Sequence, residues 1–209
     1  MEPEIKKCII IGSSPGSRIP ADVDFNDSYV ICADGGLDIA KQNNIVPDLL
    51  IGDFDSLQSD LPQGVETIRL QTEKDDTDMM AAIREALRRG YNSFTLLCSL
   101  GGRMDHSYAN LCALQFLVSQ GYRAEIADDG CRVFLLSDGR MTLSDLKGRT
   151  VSVFPFGSAF CTVSYVGMKY PLRDACISSV NPIGISNVIL TNRAQIIVHS
   201  GNALIFLLS

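Results

Sequence analysis

Three acidic clusters stand at near-even intervals in the first half of the chain: Gly52-Asp53-Phe54-Asp55-Ser56, Lys74-Asp75-Asp76-Thr77-Asp78 and Gly101-Gly102-Arg103-Met104-Asp105-His106. Asp53 and Asp78 are 25 residues apart, and Asp78 and Asp105 are 27 apart. That interval is about one strand–helix–strand repeat. Each cluster abuts an apolar run and stands at or just before a helical pattern. In an open α/β sheet such junctions gather at the carboxyl edge of the strands. Five or six carboxylates crowded there repel one another unless divalent cations sit among them, an arrangement suited to chemistry on phosphates.

The spacing inside each cluster gives it a task. At an extended strand end Asp53 and Asp55 project to one side, so both reach one cation. Mg²⁺ takes hard oxygen ligands and keeps places for water and phosphate oxygens. The same pair also reads as an Asx turn closing a strand. Asp75 and Asp78 share a face at a helix start, where acids also complement the helix dipole, and Lys74 adds a cation beside them. Gly101-Gly102-Arg103 opens a helix whose first amides favour an anion. Arg103 can grip phosphate oxygens through two hydrogen bonds, and Asp105 can bind metal or accept a proton. His106 reads equally as a ligand contact or a helix cap. Gly35-Gly36 after Asp34 repeats the strand–loop–helix form, and Gly12–Ser17 is a third such loop. Neither G-x-x-x-x-G-K-[ST] nor G-x-G-x-x-G is present, which sets aside ordinary P-loop and Rossmann dinucleotide sites.

These clusters need elements to position them. Residues 1–128 alternate strand and helix: strands over Lys7–Gly12, Tyr29–Ala33, Leu49–Gly52, Val65–Leu70, Ser93–Ser99 and Ala124–Ala127, and helices over Leu37–Asn44, Thr77–Arg89 and Asp105–Gln120. The strands are mostly continuous apolar runs, as expected when both faces are buried. In the last helix Leu111, Leu114, Leu117 and Val118 form the apolar side. After Asp128-Asp129-Gly130 the 3.6-residue period disappears. Residues 129–209 show short β-branched and aromatic runs at Arg132–Leu136, Thr150–Pro155, Phe160–Val166, Val188–Leu190, Gln195–His199 and Leu204–Leu208. Segments such as Ser137-Asp138-Gly139 and Ser200-Gly201-Asn202 separate them. The fold expected is therefore an N-terminal α/β domain on a mainly parallel sheet, followed by a C-terminal all-β sandwich of jelly-roll type.

Composition narrows the partners. The 209 residues are 46% hydrophobic and 20% charged, with net charge −6. No Lys/Arg cluster is dense enough for a nucleic-acid face, and no apolar run is long enough for a membrane-spanning helix. The acidic start has no signal-peptide core, so the expected location is cytoplasmic. Seven cysteines with no C-x-x-C pair read as buried free thiols, and two histidines exclude a histidine-rich metal centre.

Taken in order, the motifs resemble those of the thiamine pyrophosphokinases. The match runs through Ala33-Asp34-Gly35-Gly36, Pro47-Asp48, the three acidic clusters and Asn110. It resumes at Gly167-Met168-Lys169-Tyr170-Pro171-Leu172 and Gly184-Ile185-Ser186-Asn187. The resemblance implies transfer of the diphosphoryl group of ATP to the hydroxyl of thiamine, with Mg²⁺, by a homodimer whose sites lie between subunits. It implies that Asp53, Asp55 and Asp78 hold the metal and that Asp105 lies near the transferred group, Asp105 or Asp78 taking the hydroxyl proton. Arg103 and Lys74 would neutralise phosphate. Asp34, Gly35 and Gly36 would line the nucleotide cleft, with Ser56, Asp75, His106 and Asn110 also on the substrate side. Ser186 and Asn187, from the partner chain, would contact thiamine. Some family members stack a tryptophan on the thiamine pyrimidine. This chain has no tryptophan, so Tyr165, Tyr170 or residues near Ile185 would serve.

Two other functions fit parts of the pattern. A phosphohydrolase with Asp53 as nucleophile would place that D-x-D after the first strand, whereas here it follows the third. A binding sensor without turnover would not need the full set of acids.

Overall fold

Lys7–Ile11 (β1) is a β-branched run buried from its second residue onward. Five more strands flank it: Ser28–Ala33 (β2), Leu49–Gly52 (β3), Glu66–Arg69 (β4), Ser93–Leu97 (β5) and Arg123–Asp128 (β6). In this computed structural model, which describes residues 4–55, 61–71, 76–181 and 183–209, they lie in the order β6-β5-β1-β2-β3-β4. The pairs β1–β2, β1–β5, β2–β3, β3–β4 and β5–β6 are all parallel. Three helices supply crossovers: Gly36–Gln42 (α1), Asp78–Arg88 (α2) and Met104–Ser119 (α3). The chain runs from β1 outward to β2, then returns to the other side of β1 as β5. That reversal of strand order is where an open α/β sheet leaves a crevice beyond its carboxyl ends.

Helix α2 buries Met79, Ala82, Ile83 and Ala86 on one stripe, as its 3.6-residue period dictates. Helix α3 departs from the apolar pattern. Its buried face is Ser107, Asn110, Ala113, Leu114 and Leu117, while Leu111 and Val118 are only half-buried. Two polar residues therefore begin the face that packs inward. They answer main-chain groups of the loop before α3, described below.

Residues Met1–Asp129 and Gly130–Ser209 form two compact units. The second is antiparallel: Cys131–Ser144 (β7), Thr150–Pro155 (β8), Phe160–Val166 (β9), Leu172–Ser178 (β10), Asn187–Val188 (β11) and Arg193–Leu208 (β12). Strand β12 pairs with β7 from end to end, with β9 through residues 195–200 and with β8 through 203–208. Its core includes Val151, Val163, Ile177, Ile196 and Ile205. Among the described residues the chain thus mixes parallel and antiparallel strands with three helices.

Two expectations for the second unit are corrected here. Ser137-Asp138-Gly139 and Ser200-Gly201-Asn202 do not end strands. They lie inside β7 and β12, where the register shifts between Val198 and Asn202. A bulge bends a strand without ending it, and it uses the same polar residues and glycines as a turn. Strand β10 was not expected at all. Its Leu172–Ser178 segment carries charge, and Asp174 stands at φ 47° beside a break in its pairing with β9.

Candidate functional site

The carboxyl ends of β1, β2, β3 and β5, with the first turns of α2 and α3, surround a cavity of about 800 Å³. Gly12–Pro15 enter it after β1, Asp34 after β2, and Asp53 after β3. Cys98 and Gly101 enter after β5, and Asp76, Thr77 and Asp78 line it at the head of α2. Arg103, His106 and Asn110 line it at the head of α3. Asp34, Asp53, Asp76 and Asp78, far apart in sequence, therefore share one space.

Local chemistry explains each placement. Thr77 caps α2, its hydroxyl accepting the Met80 N–H at 3.2 Å, which sets Asp78 as the first helical residue. Asp76 accepts Arg84 Nε at 2.8 Å. Asp34 takes the left-handed conformation, φ 47°, with its N–H donating to Ile51 at 2.8 Å. Gly36 then follows so closely on the end of β1 that a Cβ there would lie 2.0 Å from the Ile11 carbonyl oxygen. Gly102, at φ 62°, packs against the Pro15 ring, where a Cβ would come within 2.6 Å of Cδ.

The loop between β5 and α3 is held from several directions. Cys98 stands at φ 51° and turns the chain off the sheet. Ser107 Oγ accepts the Gly101 N–H at 3.0 Å, Asn110 donates to the Ser99 carbonyl at 2.6 Å, and Ser17 donates to the Leu100 carbonyl at 2.6 Å. The Gly101 amide, expected from its glycine context to face an anion, is thus occupied by Ser107. Burial, and secondarily the charge of Asp128, pushes the Cys98 thiol up to about 12, so it is no thiolate at neutral pH.

Two site pairs take a geometry other than the one their ligand roles called for, the first of them the Asx-turn alternative. Phe54 stands at φ 62°, so Asp53 and Asp55 lie on a turn, not on an extended strand end; the Asp53 carboxylate accepts the Asp55 N–H at 3.1 Å. Asp53 lines the cavity, and Asp55 is exposed and does not. Arg103 contacts Asp105 through two nitrogens, Nε at 3.2 Å and Nη2 at 2.6 Å. Hydrogen bonding from Arg103 holds the Asp105 carboxyl down to about 2. Arg103 lines the cavity, whereas Asp105 does not.

The remaining expected residues are placed as follows. Gly35 and Gly36 form the turn into α1 without lining the cavity. Ser56, Lys74 and Asp75 lie outside the described residues. Ser186 and Asn187 belong to the second unit. Asn187 is buried, and its side chain takes the Tyr170 N–H at 2.9 Å and donates to the Tyr170 carbonyl at 2.8 Å. Tyr165 is only 3% exposed, a core residue that offers no face to a ligand, while Tyr170 and Ile185 are exposed. Among the described residues, no group of three or more His, Cys, Asp or Glu is placed to hold a metal ion. In the second unit His199 meets Ser164 Oγ at 2.8 Å and Asp174 Oδ1 at 3.0 Å through the same Nε2. A nucleophile–base relay needs both ring nitrogens, so this trio only ties β10 to its neighbours.

A residue not assigned to the site from sequence lies beneath it. Asp128, at the end of β6, accepts the Ser99 and Leu100 N–H groups at 3.1 and 2.7 Å. Burial pushes its carboxyl up to about 6 against the pull of those amides.

Comparison with known proteins decides the family. Residues 23–126 match the family model described as the thiamin pyrophosphokinase catalytic domain, and residues 140–205 match that of its vitamin B1 binding domain. The chain belongs to the thiamine pyrophosphokinase family. It is 26% identical over 197 residues to the thiamine pyrophosphokinase of Bacillus subtilis (strain 168), covering 90% of this chain and 92% of that one. The thiamin pyrophosphokinase of Geobacillus thermodenitrificans superposes with a TM-score of 0.81 at 26% identity, over 97% of each chain. A B. subtilis thiamine pyrophosphokinase structure gives a TM-score of 0.85 over 98% of this chain and 99% of that one; at 23% identity this likeness speaks for the fold alone. The catalytic-domain match covers the strands and helix starts that bring the cavity's acids together.

Proposed function

We propose that this protein transfers the diphosphoryl group of ATP to the hydroxyl of thiamine, giving thiamine diphosphate and AMP, with Mg²⁺, as a cytoplasmic homodimer with sites between subunits. Residues 1–128 serve as the nucleotide- and metal-binding catalytic domain. Residues 129–209, a β-sandwich, serve for thiamine binding and dimerisation. The observation that carries this reading is the convergence of Asp34, Asp53, Asp76 and Asp78 with Arg103 on one cavity, in a chain of this family.

The donor set fits the metal. Carboxylate oxygens are the ligands Mg²⁺ prefers, and it needs few from protein because water and phosphate oxygens complete its shell. Asp53 and Asp78 would hold it, with Asp55 on the same turn as Asp53. When bound, the ion would supply Lewis-acid stabilisation of the charge on the phosphate oxygens. Arg103 offsets the charge of the transferred group. Asp105 serves by holding the Arg103 fork; a carboxyl kept near 2 is a poor base. A carboxylate of the cavity takes the proton as the thiamine hydroxyl oxygen bonds to the β-phosphorus. The bond from that phosphorus to the AMP oxygen breaks in the same displacement. Asp34, Gly35 and Gly36 serve the nucleotide side. Ser186 contacts thiamine from the partner chain, and Asn187 acts on it by fixing the Tyr170 main chain.

The test is the product. Incubated with ATP, Mg²⁺ and thiamine, the protein should yield AMP and thiamine diphosphate in equal amounts. ADP in place of AMP, or phosphate released without thiamine, defeats this reading. A second measurement addresses Arg103. Arg103→Lys should lose about tenfold or more in kcat, because an ammonium cannot reproduce the planar fork. The side chain is 69% exposed, so the melting temperature should stay unchanged. Equal rates for the two proteins would make Arg103 a bystander.

A further inference from the structure

The loop that delivers Arg103 to the cavity rests on a buried carboxylate with no evident need to be charged. Asp128 is 6% exposed. Strand β6 lies parallel beside β5, with Ala127 opposite Leu97, so Asp128 falls next to the point where the chain leaves the sheet at Cys98. That departure turns the Ser99 and Leu100 amides back toward β6. Both donate to one oxygen, Oδ2. Without an acceptor there, one buried and one partly buried donor would be unsatisfied. The other oxygen, Oδ1, is buried with no hydrogen-bond partner, as is Ser99 Oγ.

A side-chain oxygen held at the end of β6 accepts both amides and so fixes their direction. The same loop residues are tied on their outer side by Asn110 and Ser17. Asp128 is the tie on the inner side. We propose that Asp128 is a positioning residue for the ATP side of the site, setting the path of Ser99–Gly102 and so the place where Arg103 and the head of α3 meet the transferred phosphates. This rests on the diphosphotransferase reading above. The carboxylate touches no substrate; it acts through the loop.

The experiment compares Asp128→Ala and Asp128→Asn in the full chain, each checked for folding by circular dichroism and assayed well below its melting temperature. Asparagine keeps an acceptor for both amides, and alanine does not. The readouts are kcat, KM for ATP and for thiamine separately, amide exchange at residues 99–101, and calorimetric affinity for a non-hydrolysable ATP analogue with Mg²⁺. Expected for alanine is a fall of about tenfold in kcat, a several-fold loss of analogue affinity, faster exchange at Ser99 and Leu100, and a KM for thiamine within about twofold. Asparagine should recover kcat and affinity to within about threefold of the parent. If alanine does not fold, Asp128→Ser replaces it, its hydroxyl being too short to reach both amides. An alanine or serine variant that melts lower yet keeps kcat and analogue affinity within about twofold would reduce Asp128 to a stabilising residue and overturn the proposal. So would an asparagine variant as impaired as alanine. A parent protein that binds the analogue but forms no thiamine diphosphate would defeat the functional reading alone. Analogue affinity and amide exchange would still decide for or against Asp128.

Discussion

Asp78→Ala, and separately Asp53→Ala, should lower turnover by about three orders of magnitude or more while each variant still folds and melts within a few degrees of the parent. Both carboxylates face the cavity that Asp34 and Asp76 also line. Each stands among like charges, so removing one relieves repulsion. The structural losses are small by comparison. Asp78 complements the α2 dipole, worth about 0.3–1 kcal/mol. Asp53 gives up one hydrogen bond to the Asp55 N–H, about 1 kcal/mol net. On the proposed reading the catalytic loss is large because these oxygens would hold the Mg²⁺ that neutralises ATP, and nothing in water replaces that preorganised charge. Steady-state kinetics across a Mg²⁺ series, with melting curves beside them, make the measurement. A variant that keeps near-parental turnover at low Mg²⁺ would remove its aspartate from the metal.

Which of these features a reader of the sequence can see depends on how local their cause is. Strands β1, β3 and β5 are legible because continuous apolar runs admit few other readings. Asp53 and Asp78 are legible as cavity acids because surplus like charge at a strand end and a helix start stands out. What escaped depends on partners outside the repeating pattern of its own element. Ser107 and Asn110 interrupt the apolar stripe of α3, and only the loop carbonyl and amide they serve explain them. Asp128 sits in Asp128-Asp129-Gly130, which reads as a turn between domains; its two partners lie 28 and 29 residues earlier. The bulges at Ser137–Gly139 and Ser200–Asn202 read as strand ends because bulges and turns draw on the same residues. Tyr165 looked available for a ligand until its burial in the core of the second unit was known. The turn at Phe54 was one of two readings of D-x-D, and no pattern in the sequence separates them.

Gly36→Ala should be the most damaging single methyl group in the first unit, costing about 2–4 kcal/mol. For a protein of this size that lowers the melting temperature by roughly 5–15 °C. The reason is contact rather than conformation. The added carbon would meet the Ile11 carbonyl oxygen at 2.0 Å and its carbonyl carbon at 2.9 Å. Both are main-chain atoms of the central strand, so neither can rotate away. Helix α1 must lift off the end of β1, carrying with it the Asp34–Gly35 turn whose first residue lines the cavity. The same variant should therefore raise KM for ATP more than KM for thiamine. Gly35→Ala is the control. There the added carbon meets only the Ser13 side chain, at 3.0 Å for Cβ and 3.2 Å for Oγ. An exposed serine can move aside, so the cost should be less than about half as large. Thermal unfolding of the two variants side by side decides it. Equal losses would mean that the close approach of α1 to β1 is not what the glycine at position 36 permits.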